Sequence, residues 1–148
     1  MRWLWLIAMC LFCLGFKNES QEYMLARINA VRATYRLPAV GLRKDLECAS
    51  RSWSKDLWRT KTCRHFDPAK REYFWDRVRI CGGSIIQGGE IVACGYPDID
   101  AAIVGWLNSP QHRNIFLSRY TKIIGVGWAG EENGAHWYTM IADMSPGV

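Results

Sequence analysis

The sequence predicts an α+β domain. Three segments repeat apolar residues at helical spacing, and a glycine-rich stretch separates the second from the third. Two strand-like runs then close the chain around Glu131-Glu132-Asn133-Gly134. Helices set apart from a terminal hairpin by long connections suggest α+β layering.

The first helix starts at Asn18 or Ser20, either of which can cap it, with Gln21 in the reciprocal position three after Asn18. Met24, Ile28, Val31 and Tyr35 recur at i, i+4, i+7 and i+11, one apolar stripe, and Pro38 ends the segment. A second helix starts at Asp45 and carries Leu46, Ala49, Trp53 and Leu57. Residues 61–68 form a loop, and Pro68 opens a short helix through Val78. Residues 80–89 hold four glycines and form a long connection. Glu90–Cys94 is a short strand. Asp98 caps a third long helix with Ile99, Ala102, Ile103 and Trp106 on its buried face. Ser109 and Pro110 start a further helix, Ser109 as N-cap and Pro110 at the first helical position. Lys122–Ala129 and Ala135–Ala142 are the hairpin strands.

Arg2 is the single charge before Lys17, and Trp3–Leu14 between them is almost unbroken in its apolarity. The run matches the core of a signal peptide and is shorter than the roughly 20 residues a bilayer span needs. The expected organisation is a signal peptide over 1–15 and one domain over 16–148. An uncleaved anchor is the alternative. Met9 and Phe12 stand where a lipoprotein signal wants a small residue. Loss of 1–15 lowers the formal charge from +5 to +4. Acids alternate with bases through Arg64–Arg79, so no concentrated basic face marks a nucleic-acid partner. Nor does the mature chain carry a stable transmembrane span.

An exported chain makes the four remaining cysteines, Cys48, Cys63, Cys81 and Cys94, a disulfide set. They contain no C-x2-C pair, which argues against a four-cysteine zinc site. Cys48 and Cys63 bracket the second helix, about 20 Å apart at 1.5 Å per residue. That exceeds the roughly 7 Å a disulfide tolerates. Each therefore pairs with Cys81 or Cys94. Glu90 and Cys94 lie about 13 Å apart on one strand. If Glu90 approaches His65, Cys94 is distant from Cys63, which favours Cys63–Cys81 with Cys48–Cys94.

His65 in a loop, Glu90 at a strand start and His112 in the first turn of a helix occupy places from which side chains converge on a cleft. Two imidazoles and a carboxylate can hold Zn²⁺ with an open fourth position, or perform acid–base chemistry without metal. Each also has a plainer role: a loop histidine, a carboxylate bracing its loop, an imidazole bonded to a first-turn carbonyl. His136 reads as a packing or surface residue, and Arg113 and Asn114 as braces of their turn. Trp53, Trp106 and Trp128 read as core, whereas Trp58 and Trp75 are candidates for a binding surface. There is no G-x-S-x-G elbow and no H-E-x-x-H helix. A Cys63–His65 nucleophile pair is incompatible with an oxidised Cys63.

Four motifs occur in a familiar order: Asn29-Ala30-Val31-Arg32, Cys63-Arg64-His65, Gly89-Glu90-Ile91, and Trp106-Leu-Asn-Ser-Pro-Gln-His112-Arg-Asn-Ile with Tyr120-Thr121 and Gly125-Val126-Gly127 after it. Over residues 23–143 the chain resembles the CAP superfamily (SCP domain) of cysteine-rich secretory, antigen 5 and pathogenesis-related proteins, nearest its compact bacterial branch. The resemblance implies a three-layer α/β/α sandwich and assigns His65, Glu90 and His112 to the family's site. Three departures stand out. Phe66 follows His65 where Ser or Thr is usual, Ile91 replaces an asparagine, and Ser109 stands nearest to the second glutamate of larger members. The resemblance implies a secreted or periplasmic module that binds an extracellular lipid, glycan or protein through a His/Glu cleft. The alternative is a metal-assisted, peptidase-like hydrolase using His65, Glu90 and His112. The absent second acid favours binding.

Overall fold

The structure, a computed structural model, describes residues 20–131 and 133–147. The expected signal segment 1–15 and the Asn18 cap lie outside the described residues.

Helix α1 (Gln21–Thr34) is capped by Ser20, whose Oγ accepts from the Tyr23 N–H at 3.1 Å. Its buried stripe is Met24, Ile28 and Arg32. The expected continuation through Val31 and Tyr35 is corrected: Val31 is half-buried and Tyr35 is exposed. Arg32 is buried without an acid because its guanidinium reaches carbonyl oxygens instead. It donates to Pro38, Phe116 and Ser118 at 3.2, 2.7 and 3.1 Å. Charge-assisted bonds of this kind offset the desolvation of a buried cation.

Strand β1 (Gly41–Leu42) leads into α2 (Lys44–Thr60), which buries Leu46, Ala49, Trp53 and Leu57 as the periodicity predicts. The turn at Pro68 is not a helix start. The Asp67 carboxylate accepts the N–H groups of Ala69 and Lys70 at 2.9 and 3.2 Å. That local turn competes with helix, and α3 begins later, over Phe74–Ile80. The Asp76 carboxylate accepts the Tyr73 N–H at 3.0 Å at the start of α3. Strand β2 runs further than expected at both ends, over Gly88–Tyr96. Helix α4 (Ile99–Asn108) has Asp98 as cap, its Oδ1 accepting from Ala101 at 2.9 Å. Helix α5 (Pro110–Phe116) follows at once, and β3 (Ile123–Gly130) and β4 (His136–Asp143) form the hairpin.

The sheet order is β1-β3-β4-β2, with β1 parallel to β3 and the other pairs antiparallel. Period-two alternation divides its side chains. Ile91, Ala93, Ile124, Val126, Tyr138, Met140 and Ala142 pack with Met24 and Ile28 of α1, Ile99 and Trp106 of α4 and Phe116 of α5. On the opposite face Val92 packs with Trp53 and Leu57, and Ile141 with Leu46, Ala49 and Val78. These are the three layers: α1, α4 and α5; the sheet; α2 and α3.

Gly125 and Gly127 set the closeness of α2 to β3. A Cβ on Gly125 would lie 2.0 Å from the Leu46 carbonyl carbon, and one on Gly127 2.5 Å from the Arg51 nitrogen. Ser50 and Ser54 use that approach, donating to the Gly125 and Gly127 carbonyls at 3.0 Å each.

The disulfides are Cys48–Cys81 and Cys63–Cys94, with Cα separations of 6.0 and 5.9 Å. This reverses the pairing favoured from the sequence. Cys63-Arg64-His65 runs beside β2, so Cys63 meets Cys94 while His65 meets Glu90 at 3.0 Å. Two loop residues at about 3.3 Å each, plus the reach of two side chains, match the four-residue spacing on the strand. The exclusion of a Cys48–Cys63 bridge holds.

Candidate functional site

Edge strand β2 brings the two outer layers together at one border of the sheet. Glu90 lies on the α2–α3 face and is buried. The flanking Gly89 faces α5, since a Cβ there would come within 2.8 Å of Ile115. His112, in the first turn of α5, therefore reaches the same border as His65 from the loop after α2. The two imidazole centres are 5.9 Å apart. His65 is the exposed member, with 46% of its side chain accessible, against 1% for Glu90.

The loop that carries His65 is pinned at successive carbonyls. The Trp137 indole N–H donates to Thr62 at 3.1 Å, and that of Trp53 to Arg64 at 3.0 Å. The Cys63–Cys94 disulfide ties the residue between them to β2. Trp53 is thus both core and scaffold, as its polar N–H requires when buried.

Arg77 is the component that the sequence reading left out. Its guanidinium donates to Glu90 Oε2 at 2.6 Å, while Glu90 Oε1 meets His65 Nδ1 at 3.0 Å. The same nitrogen of Arg77 donates to the His65 carbonyl at 3.3 Å. The pair is dry, with side-chain exposures of 5% and 1%. No sequence signal marked it, because α3 carries Arg79 as well and the partner acid lies on β2.

Burial lowers the proton affinity of His112 below its ordinary value, and the neighbouring His65 adds to the effect. The structure assigns burial first and the second imidazole next. Ser109 adopts extended backbone at the N-cap of α5 but makes no side-chain capping bond.

In the arrangement of His65, Glu90 and His112, both oxygens of Glu90 already have side-chain partners. Among the described residues no group of three or more His, Cys, Asp or Glu side chains is disposed to hold a metal ion. The chemical reason lies in Glu90, whose Oε2 is taken by Arg77 and whose Oε1 is taken by His65. A divalent cation at Glu90 would have to lie beside a buried guanidinium.

The remaining candidates separate clearly. His136 is buried, lies within 3.0 Å of the Tyr138 hydroxyl and 2.9 Å of the Glu131 carbonyl, and packs at a tilt against Trp128 with ring centres 4.6 Å apart. It is a packing residue. Trp106 is core, and Trp128 is half-buried against it. Arg113 lies over Tyr35 at 5.8 Å, away from the pair of histidines, and Asn114 is exposed. Trp58 is half-buried beside Lys61. Trp75 is half exposed and ends a strip of rings that starts next to His65, with Phe66–Tyr73 centres 4.7 Å apart and Tyr73–Trp75 centres 5.2 Å apart. The strip borders a groove of about 340 Å³ lined by Phe74, Trp75, Ile85 and Ile86.

No helix among the described residues is long and apolar enough to cross a membrane. The fold is similar to an outer surface protein from Borrelia burgdorferi, with a TM-score of 0.73, 20% identity, and 86% of this chain and 94% of that one covered. It is similar also to an extracellular protein containing a SCP domain from Bacillus anthracis str. Ames, with a TM-score of 0.72, 23% identity, and 83% and 40% of the chains covered. In sequence it is 27% identical over 113 residues to the uncharacterized membrane protein YlbC of Bacillus subtilis (strain 168), which covers 75% of this chain and 32% of that relative. The chain thus spans about a third of that curated relative's length. The model of the cysteine-rich secretory protein family matches residues 25–142. With the three-layer sandwich and the four ordered motifs, that match shows that the chain belongs to the CAP family.

Proposed function

We propose that this CAP domain is an exported binding module whose ligand lies across His65 and His112 and along the aromatic strip beside them. One observation carries the reading: both oxygens of Glu90, the acid of the cleft, are engaged by Arg77 and His65, while Tyr73 and Trp75 of the aromatic strip stay open to solvent. A hydrolase needs a free base, a nucleophile or an activated water at the reacting atom. Glu90, held by Arg77 and His65, is not free to be that base. Half-exposed rings beside hydrogen-bonding groups suit recognition of a lipid, glycan or protein surface.

Export is supported by the apolar run Trp3–Leu14 behind Arg2 and by two disulfides, which persist in an oxidising compartment. The test is a titration of isotope-labelled mature protein with phospholipid micelles, neutral oligosaccharides and a peptide library. The expected result is a saturable response centred on His65, His112 and Trp75, lost in His65→Ala/His112→Ala. Chelator-sensitive cleavage of the peptides, or a double variant that keeps every response, would overturn the reading.

A further inference from the structure

We infer that Arg77 is the specificity-determining residue of this cleft: it stands as a permanent internal cation where a divalent metal would have to meet Glu90. Arg77 is placed for this by three elements at once. It belongs to α3, whose end is tied to α2 by the Cys48–Cys81 disulfide. Its guanidinium lies 3.9 Å from the centre of the Trp53 ring on α2. Its Nη2 reaches Glu90 on β2 at 2.6 Å and the His65 carbonyl at 3.3 Å. A planar guanidinium can lie over the indole while donating to both oxygens, whereas a compact ammonium lacks that planar face.

Two consequences follow for the cleft. A carboxylate paired with Arg77 is ionised and has no proton to give, so the proton in the His65–Glu90 bond sits on His65 Nδ1. His65 then presents Nε2 as an acceptor. Two other charges nearby are paired as well, Arg64 with Asp56 at 3.2 Å and Lys70 with Asp67 at 3.6 Å. The cleft therefore offers two imidazoles and an aromatic border, while its buried charges, Glu90 and Arg77, are paired with each other. An uncharged hydrogen-bonding group on an apolar body fits this surface, and a divalent cation does not. Arg77 acts here on the cleft proposed above as the binding site, but its own tests need no ligand and can fail separately.

The tests use the whole exported domain, zinc chloride and NMR of the histidine rings. In the parent, the His65 and His112 signals should show no saturable response to zinc below millimolar concentration, and His65 should carry its neutral-form proton on Nδ1. Arg77→Met should raise zinc affinity at least about tenfold, the scale on which groups around a metal ligand act. Arg77→Lys should keep the Nδ1 proton, because it keeps the cation. Arg77→Met/Glu90→Gln removes both charges together and serves if the single variant does not fold. In it the proton should redistribute toward Nε2. Saturable zinc binding by the parent that Glu90→Gln abolishes would overturn the assignment. So would a parent His65 protonated on Nε2, a folded Arg77→Met without the gain, or a folded double variant with an unchanged tautomer.

Discussion

Arg77 lies over the ring of Trp53, its guanidinium carbon 3.9 Å from the indole centre. The two come from different helices of one layer, α2 and α3. Their contact places a cation under edge strand β2, where Glu90 receives it. A ring also shields the cation from water, and a cation–π contact strengthens as it is desolvated. The core, the loop carbonyl at Arg64 and the buried charge thus depend on one tryptophan.

Breaking the Arg77–Glu90 pair from one side should be costly. Glu90→Gln leaves a buried guanidinium without its counter-ion, and Arg77→Met leaves a buried carboxylate. Each should lower unfolding stability by about 3–5 kcal/mol, whereas removal of both charges should cost much less. Urea unfolding of the two single variants and the double variant closes the cycle. Additive losses would show that the charges do not interact.

The disulfides enclose sequence separations of 33 and 31 residues. Loops of that length confer roughly 3.5–4 kcal/mol each by restricting the unfolded chain. Non-reducing peptide mapping should recover Cys48–Cys81 and Cys63–Cys94. Four free thiols in exported protein, or a Cys63–Cys81 peptide, would contradict the fold around the site. The double replacement Cys63→Ser/Cys94→Ser should also loosen His65, visible as faster exchange of the loop amides.

His112 makes stability depend on pH with a definite sign. Burial, and then the nearby His65, hold its pKa below the ordinary 6.5. The unfolded chain therefore binds this proton more readily than the folded chain. The contribution is complete above about pH 6.5 and is lost as the pH falls through the folded value. Urea midpoints should fall between about pH 8 and about pH 5, and His112→Gln should flatten part of that fall. An unchanged slope in the variant would rule out this role. At pH 8 the same substitution should cost little, because the imidazole is only partly buried. Trp106→Ala, in the core and 1% exposed, should cost about 3–5 kcal/mol.

Periodicity made the helices and hairpin legible because each buries one stripe or one face. Leu46, Ala49, Trp53 and Leu57 obey that rule without exception. It failed at Arg32, where a cation occupies a core position by bonding to carbonyls that only the folded loop supplies. It failed at Pro68 as well, because the Asp67 side chain turns the backbone first. His65, Glu90 and His112 were readable as residues. Arg77 was not, because its partner is a strand residue that sequence spacing does not bring near. The cysteine pairing was missed for a similar reason: it depends on the direction in which a loop runs beside β2.

Gly125 and Gly41 offer a contrast that tests the contact between α2 and β3. A methyl on Gly125 would sit 2.0 Å from the Leu46 carbonyl carbon and 2.3 Å from its oxygen. These are backbone atoms of a helix held by the Ser50 and Ser54 bonds, so they cannot swing aside as a flexible side chain would. Gly125→Ala must push α2 off the sheet, an overpacking that typically costs about 1–3 kcal/mol. At Gly41 the nearest atom to an added methyl is Ile123 Cδ1 at 3.5 Å, an ordinary contact. Gly41 is also absent from the positive-φ glycines. Gly41→Ala should therefore be neutral or stabilising, by about 0.4–1 kcal/mol, because alanine restricts the unfolded chain more than glycine does. Thermal unfolding of the two variants should move in opposite directions or differ clearly in size. Equal, small shifts would mean that α2 does not press on β3 as closely as the glycines require. Since α2 also carries Trp53, a displaced α2 should disturb the His65 signals in Gly125→Ala and leave them unchanged in Gly41→Ala.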